Sequence, residues 1–268
     1  MSERAAGLRI WYQSFTDHDE TRRYHERLFD HVNSAAGPGM SVEVKGMHPP
    51  SRKHRITELR CGLDAVRSAI QAEREGYDAF ILGHFQDAGL WEARSAVRIP
   101  VIGLGESAML HACTLGQTIG LVTIHPLFIS VHREQIRRYG LEHRVTAVVA
   151  VDSGAADYVR AFSDPQAAKA LAEEYGRKIG LLLDQGCEVV LPAGGLPSLL
   201  FGADLKLSAG AACVLDSTAV AVKSAAMAIT LQRFNGTAPS RIGAFIPPTD
   251  AALAAIGMPR QAADAAGR

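Results

Sequence analysis

Short apolar runs alternate along the chain with longer stretches in which apolar residues recur every three or four positions. The short runs resemble strands that are buried on both faces of a parallel sheet, and the longer ones have the period of amphipathic helices. This alternation predicts an α/β fold with doubly wound, mainly parallel sheets. The predicted strands cover 8–13, 41–46, 78–83, 100–105, 118–124, 145–151, 187–192 and 212–217, and the main helices cover 20–35, 56–76, 126–140, 165–186 and 217–234.

Two segments of the chain share one plan, which indicates two similar halves. Residues 75–90 and 185–200 each run from a helix end through Gly, one further residue and an acidic residue into an apolar strand and a small or Gly-rich turn. In this alignment His84 corresponds to Gly194. Ligands of open α/β sheets bind at the carboxyl ends of the strands. We therefore expect His84 and the Gly194 turn on opposite walls of one cleft.

The pattern also suggests where the halves begin and end. We expect residues 1–113 together with 216–268 to form the first α/β half, and residues 114–215 to form the second. Residues 235–257 lose the helical period and gain Pro, Gly and polar residues. This stretch is predicted to be largely irregular and is a candidate for a subunit contact.

Charge and length exclude several classes of protein. The 268 residues contain 28 Lys and Arg against 28 Asp and Glu, so the formal net charge is zero. A neutral chain lacks the electrostatic footprint of a protein that binds nucleic acid or an anionic membrane. The apolar stretches are too short to span a bilayer, and the opening MSERAAG lacks the apolar core of a signal peptide. We predict a cytoplasmic protein with a small-molecule partner and with neither nucleic acid nor membrane as partner.

The four cysteines carry no recognisable site. They are widely scattered, without a CxxC pair or a histidine cluster at metal-ligand spacing, and are predicted to be buried reduced thiols. The sequence also lacks a dinucleotide GxGxxG after its first strand, a GxxxxGK[ST] loop, a GxSxG elbow and an HExxH pair. No metal site is therefore predicted. The cysteines are Cys61, Cys113, Cys187 and Cys213.

A histidine directly follows the third predicted strand, in 83-GHFQDAG-89. A strand that ends there delivers the His84 side chain into a cleft, and the unperturbed imidazole pKa near 6.5 suits proton transfer at neutral pH. The alternative is a histidine that merely hydrogen-bonds the loop backbone. Asp87 either orients the imidazole or caps the helix that begins near Gly89, and capping is favoured.

Small or polar residues follow other strands at the same predicted edge. The glycines after the seventh strand permit backbone amides to approach an anion or oxyanion closely, although a plain turn would also use them. Hydroxyls at strand ends are usual carboxylate ligands, and they are equally common as helix caps or strand-end hydrogen-bonding groups. The candidate substrate-binding residues are Gln13, Ser14, Ser107, Thr123, His125, Gly194 and Gly195.

The chain contains, in order, the blocks 78-DAFILGHFQDAGL-90, 99-IPVIGLGESAMLHA-112, 118-TIGLVTI-124, 186-GCEVVLPAGGLP-197 and 213-CVLDSTAVAVKSA-225. Together these five blocks resemble the aspartate/glutamate racemase superfamily, and within it the hydantoin racemase branch. This resemblance implies two pseudo-symmetric halves with the active site between them, no cofactor, and assembly into a homo-oligomer. In such enzymes a cysteine follows a strand of each half, and the two thiols act as acid and base on opposite faces of a carbon next to a carbonyl.

The chain departs from this family at both cysteine positions. His84 stands in the first, within what is usually a Gly-Cys-Phe-Gly-Asp-Pro turn, and the second falls on Gly194, or on Ala193 if the turn shifts by one. One wall of the predicted cleft then carries a base, and the other offers only backbone groups. The expectation is a cofactor-independent isomerase or racemase-like enzyme with His84 as its acid and base.

Several alternatives stay open on the same fold. A single base suits a lyase, a decarboxylase or a cyclic-amide hydrolase, and a chain that had lost the chemistry would be a non-catalytic binder of a small ligand. A racemase also remains if His125 or another residue replaces the second thiol.

Overall fold

The protein, described from a computed structural model over residues 7–48, 54–204 and 212–258, contains all eight predicted strands. Residues 1–6, 49–53, 205–211 and 259–268, which were assigned to the two expected halves, lie outside the described ranges. The strands are β1 (Leu8–Ser14), β2 (Met40–Lys45), β3 (Ala79–Gly83), β4 (Val101–Gly103), β5 (Ile119–Thr123), β6 (Val145–Ala150), β7 (Val189–Ala193) and β8 (Cys213–Val214).

The strands build two four-stranded sheets, in the order β2-β1-β3-β4 and β6-β5-β7-β8, and every pairing is parallel. Ser14 at the end of β1 pairs with Gly83 of β3, and Thr123 at the end of β5 pairs with Ala193 of β7. In each sheet the strand order reverses between these two central strands, and the crevice outside their carboxyl ends is where such folds bind ligands. The predicted doubly wound fold with two parallel halves is confirmed.

Helices cover both faces of these sheets. The long ones form where apolar residues recur at helical spacing, as in α7, which buries Leu171, Tyr175 and Ile179 and begins at a Pro that follows the Asp164 cap. No helix in the described part of the chain is both long and apolar enough to cross a membrane. The helices are α1 (Arg22–Ala36), α2 (Arg55–Arg74), α3 (Leu90–Ala96), α4 (Leu104–Ala112), α5 (Phe128–Arg138), α6 (Ala155–Ala161), α7 (Pro165–Asp184), α8 (Gly195–Pro197) with its π-helical continuation Ser198–Asp204, α9 (Ser217–Asn235) and α10 (Asp250–Ala255).

The internal repeat seen in the sequence is present in the structure. Two residues after the ends of α2 and α7 stands a glycine in the left-handed region, Gly76 with φ 74° and Gly186 with φ 81°. Two residues further on, Asp78 and Glu188 each accept a hydrogen bond from a backbone amide where the neighbouring strand begins. The same glycine cap and the same hydrogen-bonded acidic side chain therefore precede β3 and β7.

One large hydrophobic cluster is shared by both halves. It contains Ile10 and Ile81 of the first sheet together with Leu121 and Leu191 of the second. A smaller cluster, which includes Trp11, covers the other face of the first sheet. Because successive side chains of a strand point to opposite faces, neighbouring residues such as Ile10 and Trp11 fall in different clusters.

The C-terminal segment returns to the first sheet. Helix α9 packs on α1, α4, β3 and β4. Beyond it, the Arg241 guanidinium donates hydrogen bonds to the carbonyls of Arg94 and Val97, at 3.0 and 2.6 Å, and Leu253 of α10 joins the smaller core cluster. The tail predicted to be largely irregular thus contains α10 and a 3-10 turn at Gly243–Phe245. Its subunit contact stays a prediction.

Two predicted strands are shorter than the apolar runs suggested. The strand placed at 100–105 ends at Gly103, because α4 begins at Leu104. The strand placed at 212–217 is reduced to two residues, because Asp216 caps α9 by accepting a hydrogen bond from the Ala219 amide at 2.9 Å.

Candidate active site

A cavity of about 1210 Å³ opens beyond the carboxyl ends of both sheets. The first half supplies the β1–α1 loop, α2 and the β3–α3 loop to its walls, and the second half supplies the β5–α5 loop, α5 and the β6–α6 loop. Its lining mixes the charged side chains of Glu58 and Arg138 with the apolar ones of Leu59, Leu63 and Trp91. A ligand in this cavity would contact both halves.

His84 lies at the carboxyl end of β3 beside this cavity. Its ring stacks on that of Phe15, with the centroids 4.4 Å apart and the planes inclined by 10°. The Nδ1 atom lies 3.3 Å from Oε1 of Glu58 on α2. The His84 side chain is 11% exposed and that of Glu58, which lines the cavity, is 30% exposed. The imidazole thus lies between an aromatic ring and a carboxylate, and it is Glu58 rather than His84 itself that lines the cavity.

The glycine turn of the second half meets the first half next to His84. Gly194 has φ 153° and ψ 153°, a conformation that is essentially restricted to glycine. A Cβ added at Gly195 would stand 2.9 Å from the Tyr24 hydroxyl and 3.3 Å from the Gly83 carbonyl oxygen. Since Gly83 directly precedes His84, the two turns that correspond in the sequence repeat lie side by side.

The candidate residues at the end of β1 are buried and bound to other protein groups. The Gln13 amide donates to backbone carbonyls at the end of β2, at 3.1 and 3.2 Å, and its oxygen accepts from the Trp11 indole at 3.0 Å. The Ser14 hydroxyl lies 2.9 Å from that of Thr16. Gln13 thereby ties β1 to β2, and its role and that of Ser14 as substrate ligands stay predictions.

Thr123 at the end of β5 is held by a buried histidine. Its hydroxyl lies 3.0 Å from Nε2 of His132, whose Nδ1 lies 3.1 Å from the side-chain oxygen of Gln135. Because that oxygen can only accept, Nδ1 carries the proton and Thr123 donates to Nε2. Burial lowers the pKa of His132 to about 4, and positive charge on His84 acts in the same direction. His132 is therefore neutral at physiological pH.

The first half carries a corresponding histidine on α1. His25 lies 3.3 Å through Nε2 from the Thr16 hydroxyl and 3.0 Å through Nδ1 from the Thr21 hydroxyl. Burial, and then the charge of His18, lower the pKa of His25 to about 4. Each half thus places a neutral histidine against a hydroxyl near the end of its first strand. Neither histidine was predicted from the sequence, in which the available signal was a histidine at an apolar position of a helix.

Asp87 links α4 to α5. Its carboxylate accepts hydrogen bonds from the backbone amides of Gly105 and Glu106, at 3.1 and 2.7 Å. It also accepts from the Gln135 amide at 3.1 Å and the Tyr139 hydroxyl at 2.7 Å. The predicted cap of the helix near Gly89 is therefore wrong, because Asp87 caps α4 and not α3. Burial raises the pKa of Asp87 to about 7, although the Tyr139 hydrogen bond opposes this.

Two further candidates differ in their access to the cavity. Ser107 lies in the first turns of α4, where its hydroxyl donates to the Gly103 carbonyl at 2.6 Å. His125 lines the cavity in the β5–α5 loop, and its Nδ1 accepts a hydrogen bond from the Leu127 amide at 3.2 Å. Substrate contact stays a prediction for both.

The cysteines do not form a pair of facing thiols at the cavity. Cys61 and Cys187 are buried as predicted, but Cys113 is only half-buried and Cys213 is exposed, since it begins the short edge strand β8. Ala193, the other position considered for the second thiol, is buried at the end of β7. Among the residues that the structure describes, no group of three or more His, Cys, Asp or Glu side chains could hold a metal ion.

Charged side chains also connect the two halves across the cavity. The Arg55 guanidinium on α2 donates two hydrogen bonds to the Glu134 carboxylate on α5, at 3.1 and 2.7 Å. The Arg138 guanidinium carbon lies 5.7 Å from the centroid of the Trp91 ring on α3. All four residues line the cavity.

Comparison with known proteins gives matches to racemases in sequence and in fold. A family model described as Asp/Glu/hydantoin racemase matches residues 21–225. A hydantoin racemase from Pseudomonas sp. (strain NS671) is 27% identical over 185 residues, which are 69% of this chain and 72% of that protein. One from Rhizobium meliloti is 30% identical over 156 residues, which are 58% of this chain and 61% of that protein. The structure of an allantoin racemase from Klebsiella pneumoniae superposes with a TM-score of 0.75 at 22% identity, over 90% of this chain and 94% of that one.

Proposed function

Since this chain belongs to the Asp/Glu/hydantoin racemase family, we propose that it is a cofactor-independent enzyme that moves a proton at a carbon next to a carbonyl or carboxylate group of a small molecule, with His84 as acid and base. The position of His84 carries this proposal. The residue directly follows β3, at the point where the strand order reverses, and its Nδ1 lies 3.3 Å from the cavity-lining Glu58. An imidazole in such a crevice suits proton transfer at neutral pH.

In the proposed reaction neutral His84 removes a proton from the carbon, and the resulting imidazolium returns a proton to the enolate. Backbone amides of Gly194 and Gly195 are our candidates for holding the negative charge that develops on the substrate oxygen, because this turn lies beside Gly83. The hydroxyls of Ser107 and Thr123 already have protein partners at 2.6 and 3.0 Å. Both residues nevertheless stay our candidates for holding a carboxylate of the substrate.

A second candidate function is a one-sided reaction on the same carbon. Racemisation by direct proton exchange requires a donor on each face, and the position that corresponds to His84 in the second half is Gly194, which has no side chain. This observation favours a single-base lyase, decarboxylase or cyclic-amide hydrolase. For a racemase, His125 is the candidate for the second donor, since it lines the cavity from the other half.

The two sequence relatives are hydantoin racemases, so hydantoins are our first proposed substrates. We also propose that the protein works in the cytoplasm as a homo-oligomer. Phe234 and Ile242, which are 83% and 79% exposed, are our candidates for the contact between subunits.

The test is incorporation of deuterium from D2O into 5-methylhydantoin, 5-benzylhydantoin, amino acids and small dicarboxylates, read by mass spectrometry and chiral chromatography. Each compound is also incubated without enzyme, because hydantoins exchange slowly by themselves. The parent is expected to accelerate exchange at the carbon next to the carbonyl, and His84→Gln is expected to lower that rate at least about 100-fold.

The outcomes separate the candidate functions. Exchange together with loss of optical configuration indicates a racemase, whereas exchange with retention indicates the one-sided reaction. Parental rates in His84→Gln would contradict the role of His84. Ring opening without exchange would favour the hydrolase, and loss of carbon dioxide with one deuteron taken up at the carbon that carried it would favour the decarboxylase. Binding without any turnover would favour a non-catalytic protein.

A further inference from the structure

The His84 imidazole lies between two groups of different character. Phe15 covers one face of the ring, and the edge that carries Nδ1 faces the Glu58 carboxylate at 3.3 Å. Glu58 lies in the first turn of α2 and also lines the cavity. One carboxylate therefore borders both the candidate base and the space for a substrate.

We propose that Glu58 is a positioning residue for His84: its carboxylate fixes the orientation of the imidazole and keeps a proton on Nδ1, so that Nε2 exchanges the proton with the substrate. This inference rests on the proposed function in so far as His84 is taken as the acid and base. The pairing of the two side chains is a separate matter and can be measured in the absence of any substrate.

The chemistry of the imidazole explains why such a partner is needed. The ring has two nitrogens that exchange roles between tautomers. A histidine works as a base through one defined nitrogen only if a second group holds the other. A carboxylate also stabilises the imidazolium that forms when the base takes up its proton.

The charges around His84 are consistent with this role. The Glu58 carboxylate of α2 lies 3.3 Å from Nδ1 of His84, and a positive charge on His84 acts on His132 of α5. His132 is uncharged at neutral pH, because burial lowers its pKa to about 4. Of these two titratable groups, Glu58 is the one that carries a charge opposite to the imidazolium when His84 is protonated.

The direct test is histidine-selective 15N NMR of the full-length protein, in which ring shifts report both the tautomer and the titration. Ten histidines contribute signals, and those of His84 are identified by their loss in His84→Gln. In Glu58→Gln we expect the titration midpoint of His84 to fall by about one pH unit and the preference for the proton on Nδ1 to weaken. Glu58→Asp keeps the charge and should lie between the two.

The matched control is Glu173→Gln, the same change on an exposed face of α7, which should reproduce the parent. A His84 titration and tautomer that are the same in Glu58→Gln as in Glu173→Gln would overturn the proposal. This measurement is valid whether or not a substrate is found, so its failure is distinguishable from failure of the proposed function.

Kinetics on an exchanging hydantoin give the second readout. Glu58→Gln should lower kcat at least about tenfold and move the acid limb of the pH profile to lower pH, with a smaller effect on KM, and Glu58→Asp should recover part of the loss. A purely structural role would not move the pH profile. Unchanged kcat and pH profile in Glu58→Gln, with exchange abolished in His84→Gln, would overturn the role of Glu58 while leaving that of His84 intact.

Discussion

Asp87 is a buried carboxylate held in an unusual backbone conformation. It is 1% exposed, and its φ of 56° places a residue other than glycine in the left-handed region. Such a conformation persists when the surrounding contacts compensate the free-energy cost of the backbone strain. Here the contacts are the four hydrogen bonds that the carboxylate accepts from α4 and the Gln135 and Tyr139 side chains.

The raised pKa of Asp87 predicts a dependence of stability on pH. Between an unfolded value near 3.9 and a folded value of about 7, the folded protein binds more protons than the unfolded one. The contribution of Asp87 is therefore fully present below pH 4 and is lost as the pH rises through 7. In urea unfolding, the parent should lose about 2 kcal/mol relative to Asp87→Asn between pH 5 and 7.

Asp30→Asn is the control, since Asp30 is an exposed carboxylate on α1. Its difference from the parent should stay constant over the same pH range. If the difference between Asp87→Asn and the parent is also constant, Asp87 is ionised in the folded protein throughout, and its four donors outweigh its burial.

The sequence predicted His84 but not the residues around it, for a physical reason. A histidine directly after an apolar strand is a local signal. Glu58 precedes His84 by 26 positions and Gln135 follows Asp87 by 48, and nothing local distinguishes either of them from an ordinary helix residue. Partners brought together by the fold carry no sequence spacing from which they could be recognised.

At the scale of elements, replacing glycine by alanine is expected to have opposite effects on stability beyond the ends of α2 and α7 and in the interior of α7. Gly76 and Gly186 adopt positive φ, and no atom lies within 4 Å of a Cβ added at either position. Alanine there costs backbone strain alone, about 1 kcal/mol at each site. Gly176 and Gly180 lie inside α7 with equally open surroundings, so alanine there should stabilise by about 0.5–1 kcal/mol. Urea unfolding midpoints of the four variants check both signs, and a stabilised Gly76→Ala or Gly186→Ala would contradict the repeat of the cap.

The elements that were predicted well are those with strong local patterns. Continuous apolar runs indicated all eight strands, and helical spacing indicated α1, α2, α5, α7 and α9. Helix α4 was missed because its first amides are capped by Asp87, which lies 17 positions before Leu104, and because its sequence continues the apolar run of β4. Helix α10 was missed because it docks mainly through Leu253, too little for a periodic pattern.

At the scale of the whole molecule, the two halves are joined by more than the cavity. The large hydrophobic cluster contains residues of both sheets. Gln135 of α5 also donates a hydrogen bond to the Phe85 carbonyl of the first half at 2.5 Å. A half that unfolded alone would leave its neighbour's share of this core in water. The halves are therefore expected to unfold together.

The two tryptophans make this expectation measurable, because Trp11 and Trp91 both lie in the first half. Tryptophan fluorescence thus reports the first half, whereas far-ultraviolet circular dichroism reports the helices of both. In urea the two transitions should coincide.

Leu121→Ala, a substitution in the second half at a fully buried position of β5, should lower the free energy of unfolding by about 2–5 kcal/mol. If the shared core couples the halves, the fluorescence midpoint falls as far as the dichroism midpoint. A fluorescence transition that stays at the parental urea concentration while dichroism shifts would show that the halves unfold independently.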